Sequence, residues 1–317
     1  MRRLILALVT TAALLTPASA RTVKVAVTAI VEHPALDAVR DGIRDGLAAA
    51  GYKDGVNLDF VYRSAQGNPG TAAQIARQFA GESPDVIVPI STPSAQAAAA
   101  ATRTIPIVFT AVTDPLAAGL VATIEAPGGN VTGISDLSPI AAHVALIREL
   151  VPAAKAVGFV FNPGEANSVA LLQRFKKEAG AAGLAVVEAP ANRSADVQGA
   201  ARGLVGRAQA IYVPTDNTVV SALESVVAVA GQNKLPFIAG DTDSVARGAV
   251  ASIGFNYREV GRETAALVVR VLRGEKPGAI PVAYASGTNL VINRKAATAQ
   301  GVTLPPAVVS RASRVIE

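Results

Sequence analysis

The chain has 317 residues, no cysteine, two histidines and a formal net charge of +5. The absence of thiols excludes a disulfide framework, a thiol nucleophile and a zinc-thiolate site, and with only His33 and His143 no metal centre and no cofactor is expected. So small a charge, without a basic cluster interleaved with aromatics, gives no reason to assign nucleic acid as a partner.

Residues 1–20 read "MRRLILALVTTAALLTPASA". A short basic head (Arg2, Arg3), an apolar run from Leu4 and the small residues Ala18 and Ala20 around Ser19 are the parts of a secretory signal peptide. Cleavage is expected after Ala20, and the mature charge is then close to +3. No later apolar run reaches the ~18 residues of a spanning helix, and no cysteine follows the leader to carry a lipid anchor. A soluble periplasmic protein is expected, with two domains of roughly 150 residues each.

Apolar β-branched runs then alternate with Ala-rich stretches of helical spacing. Strands are expected at Val23–Thr28, Leu58–Tyr62, Val86–Ile90 and Ile107–Thr110, then at Ala156–Phe161, Leu184–Glu188, Ala210–Val213, Pro236–Ala239 and Ala249–Gly254. Runs apolar on both faces suit a parallel sheet covered by helices. The helices expected between them are Ala35–Ala50, Thr71–Gly81, Ser94–Thr102, Ile140–Leu150, Val169–Gly183, Asp196–Gly206 and Val219–Asn233. The pattern restarts near Val157, so the fold class is α/β, two doubly wound Rossmann-like lobes with a hinge.

Polar loops follow the strands, where open α/β sheets bind ligands. In Ser91-Thr92-Pro93-Ser94, Thr92 reads as an N-cap with Pro93 at the first helical position, leaving free N–H groups for an anion such as a ligand carboxylate. Asp114, Glu165, Asp216 and Asp241 offer the opposite charge, suited to an ammonium. Together the two chemistries fit a zwitterion, hence an amino acid. Each acid also has a plainer role: Asp114 and Asp216 are good helix caps by themselves, and Asn162-Pro163-Gly164 is a turn signal with or without a ligand. His33, just before Pro34 at a helix start, reads more readily as a structural or solvent-facing residue than as a ligand contact.

The blocks "VEHPALDAVRDGIRDGL", "STPSAQAAA", "VFTAVTDPLAAGLV", "PGGNVTGISD", "NPGEANSVALL", "YVPTDNTVVSALE" and "LVINRKAATAQG" closely resemble the ABC-transporter substrate-binding protein family that includes tryptophan- and tyrosine-binding members. The resemblance runs from about Val23 to Gly301. It implies the type I periplasmic binding architecture, two α/β lobes joined by three crossovers and closing on a small ligand. Its ligand-facing loops fall on Ser91, Thr92 and Ser94, on Thr113 and Asp114, on Asn162, Glu165 and Asn167, on Thr215, Asp216 and Asn217, and on Asp241 and Thr242. His33 and Phe255 complete the candidate ligand-binding set. The family's pattern favours Ser where this chain has Gly240, and often Asp where it has Asn256.

Crossovers are expected near Ser135–Ile140, Ser252–Phe255 and Ile280–Tyr284, with Glu259–Gly274 packing as a helix on the first lobe. The N-terminal lobe is then 21–137 plus 255–281, and the C-terminal lobe 138–254 plus 282–317. The expected function is the periplasmic solute-binding component of an ABC importer, a monomer partnered by an inner-membrane permease and taking an amino-acid-like ligand with an apolar or aromatic side chain. A binding protein serving a chemoreceptor, or one for an organic acid without an amine, is the alternative. An enzyme is not expected, since no nucleophile elbow, P-loop or complete dinucleotide fingerprint is present.

Overall fold

Short apolar runs cut by Gly, Pro and Asn from amphipathic stretches fold as two sheets, each sandwiched between helices. The computed structural model describes residues 21–317; the expected leader, residues 1–20, lies outside them. The chain first runs through β1 (Val23–Ala29), α1 (Pro34–Ala49), β2 (Leu58–Ser64), α2 (Pro69–Glu82), β3 (Val86–Ile90), α3 (Thr92–Ala101), β4 (Ile107–Phe109) and β5 (Val131–Ser135). It crosses over and continues through α4 (Ile140–Leu150), β6 (Ala156–Phe161), α5 (Ala166–Ala181), β7 (Ala185–Pro190), α6 (Val197–Arg202) and β8 (Ala210–Val213). Then come α7 (Asn217–Ser221), α8 (Leu223–Asn233), β9 (Phe237–Ala239), α9 (Asp243–Ala246) and β10 (Ala251–Gly254). A second crossing leads to α10 (Tyr257–Leu272) and β11 (Ala283–Tyr284), and a third to β12 (Asn289–Asn293), α11 (Arg294–Ala299), α12 (Pro306–Arg311) and β13 (Arg314–Ile316).

The first sheet has the order β11-β5-β4-β3-β1-β2 and is parallel throughout. The second has the order β13-β12-β10-β9-β8-β6-β7, and its one antiparallel pairing joins β10 to β12. Strand C-termini of both sheets open on the space between the lobes, the usual ligand crevice of open α/β sheets.

Three expectations shift. Ala283 and Tyr284 pair with Ile134 and Ser135 at the edge of the first sheet, and Ala285 N–H donates to Ser135 O at 2.7 Å, so the third crossing lies beyond Tyr284 and residues 282–284 leave the second lobe. Ser252 is a ladder residue opposite Val291, so the second crossing begins only after Gly254. The helix expected over Val219–Asn233 is two helices broken at Ala222, whose φ of −119° and ψ of 29° are not helical.

α10, late in the chain, covers α1 of the first lobe because both helices put glycine at the contact. A Cβ on Gly261 would sit 2.2 Å from Val39 O, and one on Gly42 2.0 Å from Arg258 O. Backbone therefore meets backbone, with Val39, Ile43, Val260, Ala265 and Val268 buried around the seam. Gly261→Ala is expected to cost about 1–3 kcal/mol through overpacking, read as a lower urea midpoint; an unchanged midpoint would show that the two helices slide apart freely.

His143 is buried in the second lobe. Its Nε2–H donates to Ile253 O at 2.5 Å, next to the second crossing, and Nδ1 accepts from Tyr212 Oη at 2.7 Å, a tautomer fixed because a carbonyl can only accept. Burial lowers its pKa from 6.5 to about 4. The unfolded chain thus gains a proton that the folded chain refuses, and the associated stability is complete above pH 6.5 and lost as pH falls through about 4. Between pH 7 and 4 the parent should lose about 3 kcal/mol more than His143→Gln in urea unfolding; parallel slopes would contradict this.

Candidate functional site

In the first lobe, β3 ends in a strained turn. Ser91 has φ of 80°, a left-handed conformation that costs a non-glycine residue about 1–3 kcal/mol. Ser91, not Thr92, is the N-cap of α3: Thr92 already belongs to the helix, one residue earlier than the sequence suggested. The hydroxyls of Ser91, Thr92 and Ser94 are buried and find no partner within the protein. Beside them, Ser91 N–H holds Thr110 O at 2.9 Å, and Ala111 at the end of β4 also has positive φ, 50°. Unpaired hydroxyls at a helix N-terminus, where N–H groups are also free, make a place for an anion.

In the second lobe the acids behave differently. Asp216 is fully buried, and both its oxygens are spent: Oδ1 accepts from Val219 N–H at 2.8 Å as the cap of α7, while Oδ2 accepts from Asn162 N–H at 2.5 Å and Ser168 Oγ–H at 2.6 Å. Burial, then the neighbouring Glu165 carboxylate, push its pKa up, opposed by these bonds. Glu165 takes both the N–H and the side-chain amide of Asn217, both the N–H and hydroxyl of Thr218, and Nδ2 of Asn167. The two carboxylates fasten the loops after β6 and β8 together. The Asp216 oxygen expected to meet an ammonium already holds Asn162 N–H and Ser168 Oγ–H, and the carboxylate serves as cap and brace.

Between the lobes lies a tight chamber of about 20 Å³, room for about one water molecule as it stands. The first lobe and its crossover supply His33, Ala35, Leu36, Ala111, Thr113, Asp136 and Tyr257; the second supplies Asn167, Thr215, Asn217, Val220 and Asp241. Asp136 accepts from Tyr257 Oη–H at 2.8 Å and Thr113 Oγ1–H at 3.3 Å. Asp241 accepts from Ser244 N–H at 2.8 Å and Ser244 Oγ–H at 2.6 Å, capping α9. Burial raises the pKa of both acids. Asn167 donates Nδ2–H to Glu165 and to Thr215 O, which fixes its amide so that buried Oδ1 is an unpaired acceptor. Thr215 Oγ1 and His33 Nδ1 are likewise unpaired. His33 stays neutral, because burial and then Arg247 lower its pKa to about 3. A larger groove of about 530 Å³, which includes Gln66, Pro93, Gln96, Arg193 and Thr218, meets the chamber at Asn217 and has the roughly 300–1,000 Å³ of small-molecule pockets.

Of the expected residues, His33, Thr113, Asn167, Thr215, Asn217 and Asp241 come together in the chamber, and Glu165 faces the larger groove. Eight others do not line it: Ser91, Thr92 and Ser94 at the start of α3, the brace Asp216, and Asp114, Asn162, Thr242 and Phe255. Asp114 caps Ala117 and reaches across the cleft to Arg174 at 2.9 Å; Asn162 braces Gly164 and Thr218. Thr242 donates to Phe255 O at 3.0 Å, and Phe255 is buried in the first lobe's core. Phe109, Phe161 and Tyr212, the other aromatics at strand ends, are also core. Asp136 and Tyr257 are not marked by the sequence: Asp136 follows "VTGIS", whose Thr132, Gly133 and Ser135 hide the strand that carries it. Asn256, where the family pattern often has Asp, caps α10 through Arg258 and Glu259 N–H, as Asp would.

Comparison with known proteins extends this picture. The family model for ABC transporter substrate binding proteins matches residues 24–316. A tyrosine-binding protein of Clostridioides difficile (strain R20291) is 41% identical over 269 residues, 85% of this chain and 78% of the relative. Among solved structures, an ABC domain from Streptococcus pneumonia in complex with L-Trp is 36% identical, with TM-score 0.90 over 93% of this chain and 100% of that one. A ligand-free, open substrate-binding protein from Clostridium difficile is 40% identical over 93% of this chain and 99% of that one, yet its TM-score is 0.70. At similar identity and coverage, the arrangement of the lobes here is thus nearer the ligand-bound relative. The architecture is the type I periplasmic binding fold.

Asp216→Asn should destabilise the ligand-free protein by about 1–3 kcal/mol, because one amide oxygen cannot serve donors on two sides and leaves a buried N–H or hydroxyl unpaired. Urea unfolding of the ligand-free variant checks this; a stability equal to the parent's would mean the carboxylate braces nothing.

Proposed function

Because the chain belongs to the family of ABC transporter substrate binding proteins, we propose that it is the periplasmic solute-binding component of an importer, closing on an α-amino acid with an apolar or aromatic side chain. The observation that carries this reading is the chamber's asymmetry. Asp136, Asp241 and Asn167 Oδ1 offer acceptors without a cation among the lining residues, and a primary ammonium brings three N–H donors. The buried, unpaired hydroxyls of Ser91, Thr92 and Ser94 at the start of α3 suit the carboxylate. Leu36, Val220, Ala35 and Ala111 give the side chain an apolar wall, and the larger groove that meets the chamber at Asn217 gives it room. The tyrosine-binding and L-Trp-bound relatives support an aromatic one.

On this reading the leader is removed after Ala20, and the mature monomer binds without turnover and hands its ligand to an inner-membrane permease. The lobes, residues 21–137 with 255–284 and residues 138–254 with 285–317, turn about the three crossings as rigid bodies. Asp114 and Arg174, 2.9 Å apart across the cleft, meet only on closure. Their half-exposed pair adds little to stability by itself.

A thermal-shift panel of amino acids, aromatic acids, sugars and short peptides tests the ligand class. L-tyrosine or L-tryptophan should raise Tm by several degrees, since a ligand at about 100 times its Kd adds about 2.7 kcal/mol, and small-angle scattering should show compaction. Stabilisation only by sugars or by acids lacking an amine would overturn the reading.

A further inference from the structure

The chamber holds more negative charge than one ammonium requires, and the two acids come from opposite lobes. Asp136 follows β5 and is held by Thr113 and Tyr257, first-lobe residues. Asp241 follows β9 and is held by Ser244 of its own lobe. Neither carboxylate has a salt-bridge partner among the described residues. The nearest cation acting on Asp241, Arg247, is occupied by a bidentate contact to Glu224 at 2.9 Å and a bond to Val220 O. His33 is neutral, and Tyr257 is pushed upward by burial and then by the Asp136 and Asp241 charges. Asp243, beside Asp241, adds a third acid whose pKa rises to about 6 through burial and then the Asp241 charge. Asp136 also feels the other lobe: after burial and its own hydrogen bonds, the charge of Asp241 acts on it.

We infer that Asp136 and Asp241 form an electrostatic gate, two carboxylates that oppose closure of the empty cleft and that a ligand's ammonium pulls together. The inference rests on the amino-acid reading above and adds to it a reason why closure waits for ligand. Moving the lobes apart separates Asp136 from Asp241 and rehydrates both, so the open form relieves a repulsion that the closed form contains. A cation between them reverses the sign of that term only in the closed form. Such a differential interaction is what shifts a two-state equilibrium. An acid of the same shape without the amine fills the chamber but leaves the repulsion standing, so selectivity for amines is exercised through the hinge as well as through contact.

The test uses the mature chain and needs no ligand for its main arm. Small-angle scattering of the ligand-free parent, Asp241→Asn and Asp136→Asn should show both variants more compact, with the closed population raised about tenfold. Asn keeps one accepted bond at either site through Oδ1 and meets the second partner, a hydroxyl, only as a donor through Nδ2; a melting curve for each variant identifies any that is misfolded, in which case the other decides. In calorimetry, the parent's preference for L-tyrosine over 3-(4-hydroxyphenyl)propionate should shrink about tenfold or more in both variants. If the ligand-free variants keep the parent's radius, the gate is wrong, even if the amine preference shrinks, for then the acids only bind. If the parent binds neither L-tyrosine nor L-tryptophan, the amino-acid reading fails separately, and the ligand-free radii still decide the gate.

Discussion

The carboxylates of Glu165 and Asp216 lie side by side in the second lobe, and the shape of the cleft depends on how that burial is satisfied. Two adjacent desolvated acids are costly unless every lone pair meets a donor. Asn162, Ser168 and Val219 serve one, and Asn167, Asn217 and Thr218 the other. These donors come from the loops after β6 and β8, so meeting the electrostatic demand fixes both loops. Asn167, Thr215 and Asn217 are thereby held at the chamber wall with little freedom of their own, which is the rigidity a binding site requires.

The first lobe solves a different problem. Its turn after β3 keeps Ser91 in a left-handed conformation and leaves three hydroxyls buried without protein partners. In the second lobe the paired acids are satisfied internally and only Asn167 Oδ1 and Thr215 Oγ1 at the chamber wall are left without partners, so both lobes gain from a ligand and the first has more hydroxyls to satisfy. The chain's three crossings between the sheets restrict the relative motion to a hinge, and the buried bonds of His143 and Thr242 to the carbonyls of Ile253 and Phe255 anchor the middle crossing to the second lobe.

Most of the fold could be read from the sequence, because parallel strands buried on both faces leave unbroken β-branched runs. β5 could not: Thr132, Gly133 and Ser135 make it read as a loop, and Gly133 is required because a Cβ there would lie 2.1 Å from Phe109 O. β11, two residues long, is created by the exposed edge of β5 and carries no pattern of its own. The site divides in a similar way. That acids follow the strands was legible; which of them face the ligand was not. Asp216 and Asp241 look alike as helix caps, and what separates them is Asn162 N–H and Ser168 Oγ, roughly fifty residues upstream of Asp216, a tertiary arrangement on which local spacing is silent. Asp136 lacked any helix or strand signal, and its role emerges only from Tyr257, supplied by a helix more than a hundred residues later.

The glycine seam between α1 and α10 also governs the order in which the molecule can be built. The inner face of α1, residues 34–49, has its backbone-close cover only once residues 257–272 have been synthesised. The first sheet reaches its sixth strand only at Tyr284. The larger part of the second lobe, residues 138–254, is thus inserted within the first, and the half that starts folding earliest is completed only after it. Such long-range pairing slows folding, since the loop between the partners must be closed before the contact contributes. A nascent or unfolded chain therefore exposes the apolar stripe of α1 for most of its length, and the lobe that begins the sequence waits on a helix near its end.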